Sequence, residues 1–212
     1  MLNLLKFLKI VKMKKGCLIG LIVAGALVLV VIGFISWGSK IYNGMVTMQE
    51  SVTSQWGNVQ TAYQRRSDLI PNFVNTVKGA ANFEQTTLTQ VIEARAKATS
   101  VTIDPTKMTA ENMQQFQAAQ GQLSSALSRL MVVVEQYPEL KATQNFRDLQ
   151  VELEGTENRI SVERRKFNEV AQTYNTYIRR FPQNFLAGIF GFQAKPYFEA
   201  AAGADKAPEV KF

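Results

Sequence analysis

The chain has 212 residues, with 24 basic and 17 acidic side chains and a formal net charge of +7. It contains no histidine and a single cysteine, Cys17. This composition excludes histidine acid–base catalysis, the usual zinc sites and a disulfide framework, and we expect no cofactor. Residues 1–38 carry five lysines and no acidic residue, which leaves 19 basic and 17 acidic residues elsewhere. Because nucleic-acid binding needs a basic patch on the folded domain itself, we predict no nucleic-acid partner.

Residues 16–37 form an uncharged, apolar stretch. A bilayer core needs roughly 20 apolar residues at about 1.5 Å of rise each, so this stretch predicts one transmembrane helix. A cleaved secretory signal would have a shorter apolar region, of about 7–15 residues, and small residues at its cleavage site. Here the run is longer, and the bulky Trp37 lies inside the only candidate site. We therefore predict a retained anchor.

The lysines predict the orientation of this anchor. Five of them precede the span and only Lys40 follows it closely, and positive charge resists translocation. We expect residues 1–15 to be cytoplasmic, the rest of the chain to be external, and Trp37 to lie at the outer membrane interface. Gly16, Gly20 and Ala24 form a row of small residues that suits self-association of the span, although composition alone often produces such rows.

Two interpretations of residues 1–12 remain open. The run can be a basic segment that lies on the inner leaflet. Alternatively, it is an extra stretch upstream of a natural start at Met13, since Met13 and the two lysines after it are typical of a signal-anchor beginning.

Residues 38–182 are predicted to form one helical domain with few interruptions, the clearest of which is a loop at residues 99–108. Prolines are few, glycines are sparse, and no alternating strand pattern is present. Pro71 suits the first turn of a second helix, and Asp104-Pro105 suits the start of a third. The four predicted helices are residues 41–66, 68–99, 105–136 and 138–181. Amphipathic helices with short connections favour an all-α fold, an antiparallel up-and-down four-helix bundle.

The fourth predicted helix has the most regular pattern. Large apolar residues recur every seven positions, which is typical of a coiled-coil seam; they are Phe146, Leu153, Ile160, Phe167, Tyr174 and Phe181. Residues 183–212 differ, because aromatic residues there stand among glycine, alanine and proline. We predict a C-terminal tail anchored by its aromatics, and the sequence leaves open whether it packs on the bundle, the bilayer or a partner.

Several segments resemble one bacterial family. Residues 64–72 (QRRSDLIPN) and 156–160 (TENRI) are similar to sequences of the LemA family, and the match continues through Phe181-Pro182, Gly191-Phe192 and residues 207–210 (APEV). The resemblance covers roughly residues 40–212. It implies a single N-terminal span followed by an up-and-down four-helix bundle, and it implies no particular chemistry, because the family's molecular function is not established.

Two charged residues, Arg66 and Glu163, fall on the apolar stripes of their helices. One hypothesis is an inward polar cluster that binds a polar ligand, with Arg65, Asp68 or Glu157 contributing. The other is a structural ion pair that fixes the register of the helices, as polar residues at heptad positions can do.

Short basic runs provide a second set of candidate residues. Arg164, Arg165 and Lys166, and further along Arg179 and Arg180, could contact anionic lipid or a cell-wall polymer. The alternative is that they form solvated faces with nearby acidic partners.

We therefore expect a membrane-anchored interaction or scaffold protein of the cell envelope. Its expected partners are the membrane itself, envelope or membrane proteins, and a second copy of the chain. The second candidate function is a binding module for an anionic envelope ligand. No catalytic residue and no metal ligand is predicted.

Overall fold

A computed structural model describes residues 15–79 and 84–199, with side chains from residue 19 onward. Residues 1–14, which include the two candidate start sites, lie outside the described residues. The chain divides into two compact units, Met1–Gly44 and Met45–Phe212. The described residues contain helices and no strand, which confirms the predicted all-helical class.

Six α-helices follow one another along the described chain. They are α1 (Lys15–Lys78), α2 (Gln85–Ser100), α3 (Ala110–Val134), α4 (Pro138–Lys141), α5 (Gln144–Arg179) and α6 (Gln183–Phe190). The N-terminal part of α1 is long and apolar enough to cross a membrane, and its side chains are exposed, as a lipid-facing surface requires.

The predicted boundary between the first two helices is wrong. Helix α1 continues through Ser67 and Pro71 to Lys78 instead of ending at Arg66. A proline has no N–H, so Pro71 leaves the carbonyl of Ser67, four residues earlier, without its helical donor. Arg95 of α2 supplies the missing donor, because its Nε lies 2.8 Å from the Ser67 oxygen. A side chain from another helix thus stabilises a proline inside a continuous helix.

The predicted starts of the last two long helices also need correction. Asp104 and Pro105 begin only a 3₁₀ turn, Pro105–Lys107, and α3 starts later. Thr109 is its N-cap and forms a capping box with Asn112. Pro138 begins only the short α4, and Thr143 caps α5, accepting a hydrogen bond from the Phe146 N–H at 3.4 Å.

The core of the second unit has an apolar and an aromatic part. Trp56 is fully buried, and its ring centroid lies 5.3 Å from that of Phe116 and 5.5 Å from that of Phe167. At the other end, Phe73 packs on Phe146 with their centroids 5.2 Å apart. The remaining core is aliphatic; it includes Ile70, Val77, Leu88, Val91, Leu123, Leu127, Leu130 and Val134.

The heptad ladder holds along most of α5. Phe146, Ile160, Phe167 and Tyr174 are buried and Leu153 is partly buried, but Phe181 is not part of the ladder. It follows the end of α5 and is 86% exposed.

Candidate functional site

Arg66 is the most deeply buried charged residue in the described chain, with 1% of its surface exposed. Its Nη1 donates to Glu157 Oε2 at 2.8 Å and to Ser124 Oγ at 2.9 Å. Its Nη2 donates to Gln120 Oε1 at 2.6 Å, and the guanidinium carbon lies 5.2 Å from the centroid of the Tyr63 ring. The side chain therefore links α1 to both α3 and α5, and its charge is compensated from one side by Glu157.

Burial beside this cluster acts on Tyr63 as well. Desolvation raises the pKa of its hydroxyl, while the nearby Arg164 and Arg66 oppose that shift. The ring packs edge-on against Phe116, with centroids 5.0 Å apart. Tyr63 is thus a neutral wall of the arginine site.

Glu163 does not contact Arg66. Its Oε2 accepts a hydrogen bond from Gln55 Nε2 at 2.8 Å, and its Oε1 accepts one from Lys166 Nζ at 3.2 Å. These partners hold the pKa of the carboxyl below its usual range, with the Gln55 hydrogen bond as the largest cause, although burial opposes the shift. Lys166 is therefore engaged in an i,i+3 ion pair on its own helix.

The other two members of the predicted polar cluster lie at the surface. Arg65 Nη2 pairs with Glu152 Oε1 at 3.0 Å, and both side chains are largely exposed. Asp68 Oδ1 accepts from Gln64 Nε2 at 2.8 Å, within the same helix. The structure thus brings together Arg66 and Glu157, and separates Arg65, Asp68 and Glu163 from them.

The segment after α6 packs along α5 in an extended conformation. The side-chain amide of Asn175 pairs with the backbone of Lys195, donating to its carbonyl and accepting from its N–H, both at 2.8 Å. Asn168 pairs with Phe198 in the same way, at 2.9 and 2.8 Å. The two asparagines are seven residues apart, two helical turns, so they lie on one face of α5. We call residues 192–199 the strap.

The strap also contributes side chains to the core. The Phe198 ring stacks on Trp56, with centroids 5.9 Å apart, and the guanidinium carbon of Arg164 lies 4.8 Å from the centroid of the Phe198 ring. Lys195 is buried, and its Nζ donates to the Pro105 carbonyl at 3.0 Å. Burial lowers the pKa of this ammonium, and nearby Asp104 opposes the shift. Of the three positions considered for the predicted tail, residues 192–199 take the first, on the helical unit, whereas residues 200–212 lie outside the described residues.

Sequence reasoning did not identify the strap contacts. The only signal was the seven-residue spacing of Asn168 and Asn175 on the polar flank of the heptad pattern. A second anchor is Tyr174, whose hydroxyl donates to the Gln193 carbonyl at 3.0 Å. Desolvation raises the pKa of this hydroxyl to about 12, so it stays protonated and able to donate.

The predicted basic contacts fall into two groups. Arg164 is committed to the strap, since its Nη2 donates to the Glu199 carbonyl at 2.9 Å. Arg165, Arg179 and Arg180 are exposed. Arg164 and Arg165 line a surface groove of about 560 Å³, but Glu199 also lines it. The groove is therefore of mixed charge.

The membrane-anchor residues all lie in α1. Trp37 packs on Phe34 with ring centroids 5.6 Å apart and remains exposed. Gly20 and Ala24 are exposed, and a Cβ added at Gly20 would meet no atom within 4 Å. Gly16 belongs to the same helix, but its surroundings are not among those described.

The buried polar groups join the helices to one another and to the strap. Within residues 15–79 and 84–199, no group of three or more acidic or cysteine side chains is arranged to hold a metal ion. Neighbouring groups of the same unit form hydrogen bonds or ion pairs with Arg66, Glu163 and Lys195. The arrangement therefore supplies structural polar contacts.

Comparison with known proteins gives one family match. The family model described as "LemA family" matches residues 55–212, which includes all of the strap and the Arg66 cluster. A relative named LemA from Metamycoplasma hominis is 26% identical over 168 residues, covering 79% of this chain and 72% of that protein.

Two further relatives carry a different name. Magnetosome protein MamQ 2 of Paramagnetospirillum magneticum is 29% identical over 195 residues, which cover 84% of this chain and 72% of the relative. Magnetosome protein MamQ of Magnetospirillum gryphiswaldense is 28% identical over the same length, with the same coverage.

Proposed function

The chain belongs to the LemA family, and from that premise we propose that it is a membrane-anchored, non-catalytic helical module that holds partner proteins at the cell envelope. The observation that carries the proposal is the internal use of the buried charges. Arg66 and Lys195 are occupied by contacts within the unit, while one exposed apolar segment of α1 is available to a membrane. Such a molecule offers a fixed location and a rigid surface.

We further propose that the second unit is an antiparallel four-helix bundle. Three contacts between α1 and α5 support this arrangement: Gln55 with Glu163, Arg65 with Glu152, and Phe73 with Phe146. The residue numbers rise along α1 while those of the partners in α5 fall, as they do when two helices run in opposite directions. Long helices that run in opposite directions and share a heptad-patterned seam are the usual form of such bundles. The bundle would present long, mostly polar outer faces to partners.

The names of the relatives favour an assembly role over a metabolic one. Two of them are named for a cellular structure, the magnetosome, and none of the names reported above is that of an enzyme. The expected partners are envelope or membrane proteins. A second copy of the chain is a further partner, through the small-residue row of Gly16, Gly20 and Ala24.

Crosslinking in living cells tests the scaffold proposal. A photoreactive amino acid would replace Ile92, Val132 or Val151, which are exposed and lie on three different helices. We expect discrete crosslinked protein bands from the full chain, and their loss when residues 40–212 are produced without the span. If no position gives a crosslinked protein, or if the purified chain shows saturable turnover of an envelope substrate, the proposal fails.

A binding module for an anionic envelope ligand is the second candidate. The exposed Arg165, Arg179 and Arg180 support it. Their replacement by glutamine should then abolish retention of the purified full chain on an anionic cell-wall polymer, while partner crosslinks from Ile92 persist. Unchanged retention of this triple variant would reject the second candidate.

A further inference from the structure

Helix α6 presents large apolar side chains to water. Phe185 and Ile189 are four residues apart, so they lie on one face of the helix, and they are 69% and 60% exposed. Phe181, which is 86% exposed, lies just before the helix and adds apolar surface beside it. We call Phe181, Phe185 and Ile189 the apolar stripe. Single exposed apolar residues are ordinary, but a spaced series on one short segment is typical of an interaction surface.

Contacts at both ends hold helix α6 in place while its apolar side chains stay exposed. Its Ala187 is buried, and the Asn184 N–H donates to the Arg180 carbonyl at 2.8 Å. At the other end Gly191 adopts a left-handed conformation, with φ of 75°, and the N–H of the next residue bonds the Ala187 carbonyl. Tyr174 then fixes the start of the strap. Phe185 and Ile189 of the apolar stripe therefore belong to an ordered helix, which Phe181 directly precedes.

The contacts between α1 and α5 locate α6 within its unit. Phe73 contacts Phe146, whereas Trp56, earlier in α1, contacts Phe167, later in α5. The C-terminal end of α5, and α6 after it, therefore lie toward the Met45 end of α1. This is the end at which the chain enters the unit from its apolar segment.

Chain length limits how far this end can be from a bilayer. Met45 is eight positions after Trp37, the last residue of the apolar stretch. Even a fully extended chain covers at most about 3.6 Å per residue, so Met45 lies within roughly 29 Å of Trp37. The connection is therefore short enough for the Met45 end of the second unit to reach a bilayer that holds the apolar stretch.

The charge around α6 complements an anionic surface. No aspartate or glutamate occurs between Glu169 and Glu199, while Arg179 and Arg180 immediately precede the stripe. Both arginines are exposed. Basic residues next to a membrane attract the anionic headgroups of its lipids, and an amphipathic helix places its apolar face below those headgroups.

We propose that α6 is a second membrane contact, in which Phe181, Phe185 and Ile189 insert into the leaflet nearest the bundle and Arg179 and Arg180 bind anionic lipid headgroups. This inference rests on the proposed anchor in α1. It makes the bundle a body fixed to the membrane at two places, so that the partner-binding faces keep a defined orientation to the bilayer.

Depth-dependent quenching on the full chain tests the inference. The chain, with Cys17→Ser, is reconstituted in phosphatidylcholine vesicles with and without phosphatidylglycerol. A bimane fluorophore is attached at one new cysteine: Phe185→Cys, Ile189→Cys, or Asn145→Cys as an exposed control near the opposite end of the unit. Val28→Cys reports on the span. Quenchers are lipids spin-labelled near the headgroup or deep in the acyl chain, and aqueous iodide.

We expect headgroup-labelled lipid to quench fluorescence at positions 185 and 189 but not at 145. Adding Arg179→Gln and Arg180→Gln should reduce quenching at 189 in anionic vesicles. If 185 and 189 respond only to iodide, they face water; if they respond to neither, protein or a second copy covers them. Either result overturns the inference. Failure of deep lipid to quench at 28 would instead overturn the proposed anchor.

Discussion

At the scale of single residues, the adjacent arginines 65 and 66 show how environment decides the role of a charge. Arg65 pairs with Glu152 at the surface, where solvent weakens the attraction. Arg66 has the same side chain, but it is enclosed and makes hydrogen bonds to α3 and α5. The helical turn of about 100° per residue separates the two directions, so the heptad position and not the residue type distinguishes them.

We predict unequal costs when each arginine is removed. Arg66→Ala should lower the free energy of unfolding of residues 40–212 by about 3–5 kcal/mol, because it leaves buried partners unsatisfied. Arg65→Ala, the matched control, should change it by about 0–1 kcal/mol. Urea unfolding measures both values, and equal effects would show that Arg66 is not structurally buried.

We predict that Glu163 contributes to the loss of folding stability of the second unit at acidic pH. Its pKa is lower in the folded state than the ordinary value of 4.5, mainly because of the Gln55 hydrogen bond. The unfolded state therefore takes up this proton first, so the stabilisation is present above the ordinary pKa and is lost as pH falls through the folded-state pKa. Glu163→Gln should flatten this part of the stability–pH curve. Glu154→Gln, an exposed site on the same helix, should not, and an unaltered slope in Glu163→Gln would contradict the assignment.

At the scale of helices, α1 depends on a contact from α2 to pass through its proline. Pro71 removes the N–H that would bond the Ser67 carbonyl, and Arg95 replaces it. The helix therefore continues past Pro71 and ends at Lys78. A proline that looks like a helix start is in this case an interior residue with an external donor.

A double-mutant cycle tests this substitution of donors. Arg95→Met should destabilise the unit by about 1–3 kcal/mol, since it leaves the Ser67 carbonyl unpaired. In a Pro71→Ala background the new backbone N–H at position 71 can bond that carbonyl, so the same Arg95→Met change should cost less. Strictly additive effects in thermal unfolding would show that Arg95 does not compensate for the proline.

The α5 ladder predicts which positions tolerate truncation. Phe167 is fully buried against Trp56 and Phe198, so Phe167→Ala should cost about 3–5 kcal/mol. Gln172 is on the exposed side of the same helix, and Gln172→Ala should stay within about 0.5 kcal/mol. Urea unfolding of residues 40–212 gives both values. Similar losses at the two positions would mean that the register of α5 is wrong.

The sequence predicted what depends on local pattern and missed what depends on distant partners. Seven-residue spacing was enough to identify Phe146, Ile160, Phe167 and Tyr174 as core residues. It could not reveal that Arg95 would complete a proline-containing helix, or that Asn175 would bind the backbone of the strap, because those contacts join distant segments. The same limit left both Glu157 and Glu163 open as partners of Arg66, and the structure pairs Arg66 with Glu157.

At the scale of the whole molecule, the apolar segment of α1 and the second unit supply different parts of the proposed function. In the proposal, the apolar segment fixes the protein in a membrane, and the second unit offers a helical surface whose buried charged groups already have partners. Phe198 of the strap packs on Trp56, so this part of the C-terminal segment stabilises the unit and is not a free tail. A truncation before the strap would therefore test folding, and not only partner capture.

Thiol labelling in intact cells tests the central claim, a helical unit held outside the cell by one N-terminal span. Cys17 is the only native cysteine and lies in the apolar segment. Ser100→Cys adds a thiol at an exposed position at the end of α2. A membrane-impermeant maleimide should label this variant in intact cells or spheroplasts, and should not label the parent chain. Labelling that appears only after lysis would place the unit on the cytoplasmic side and contradict the account.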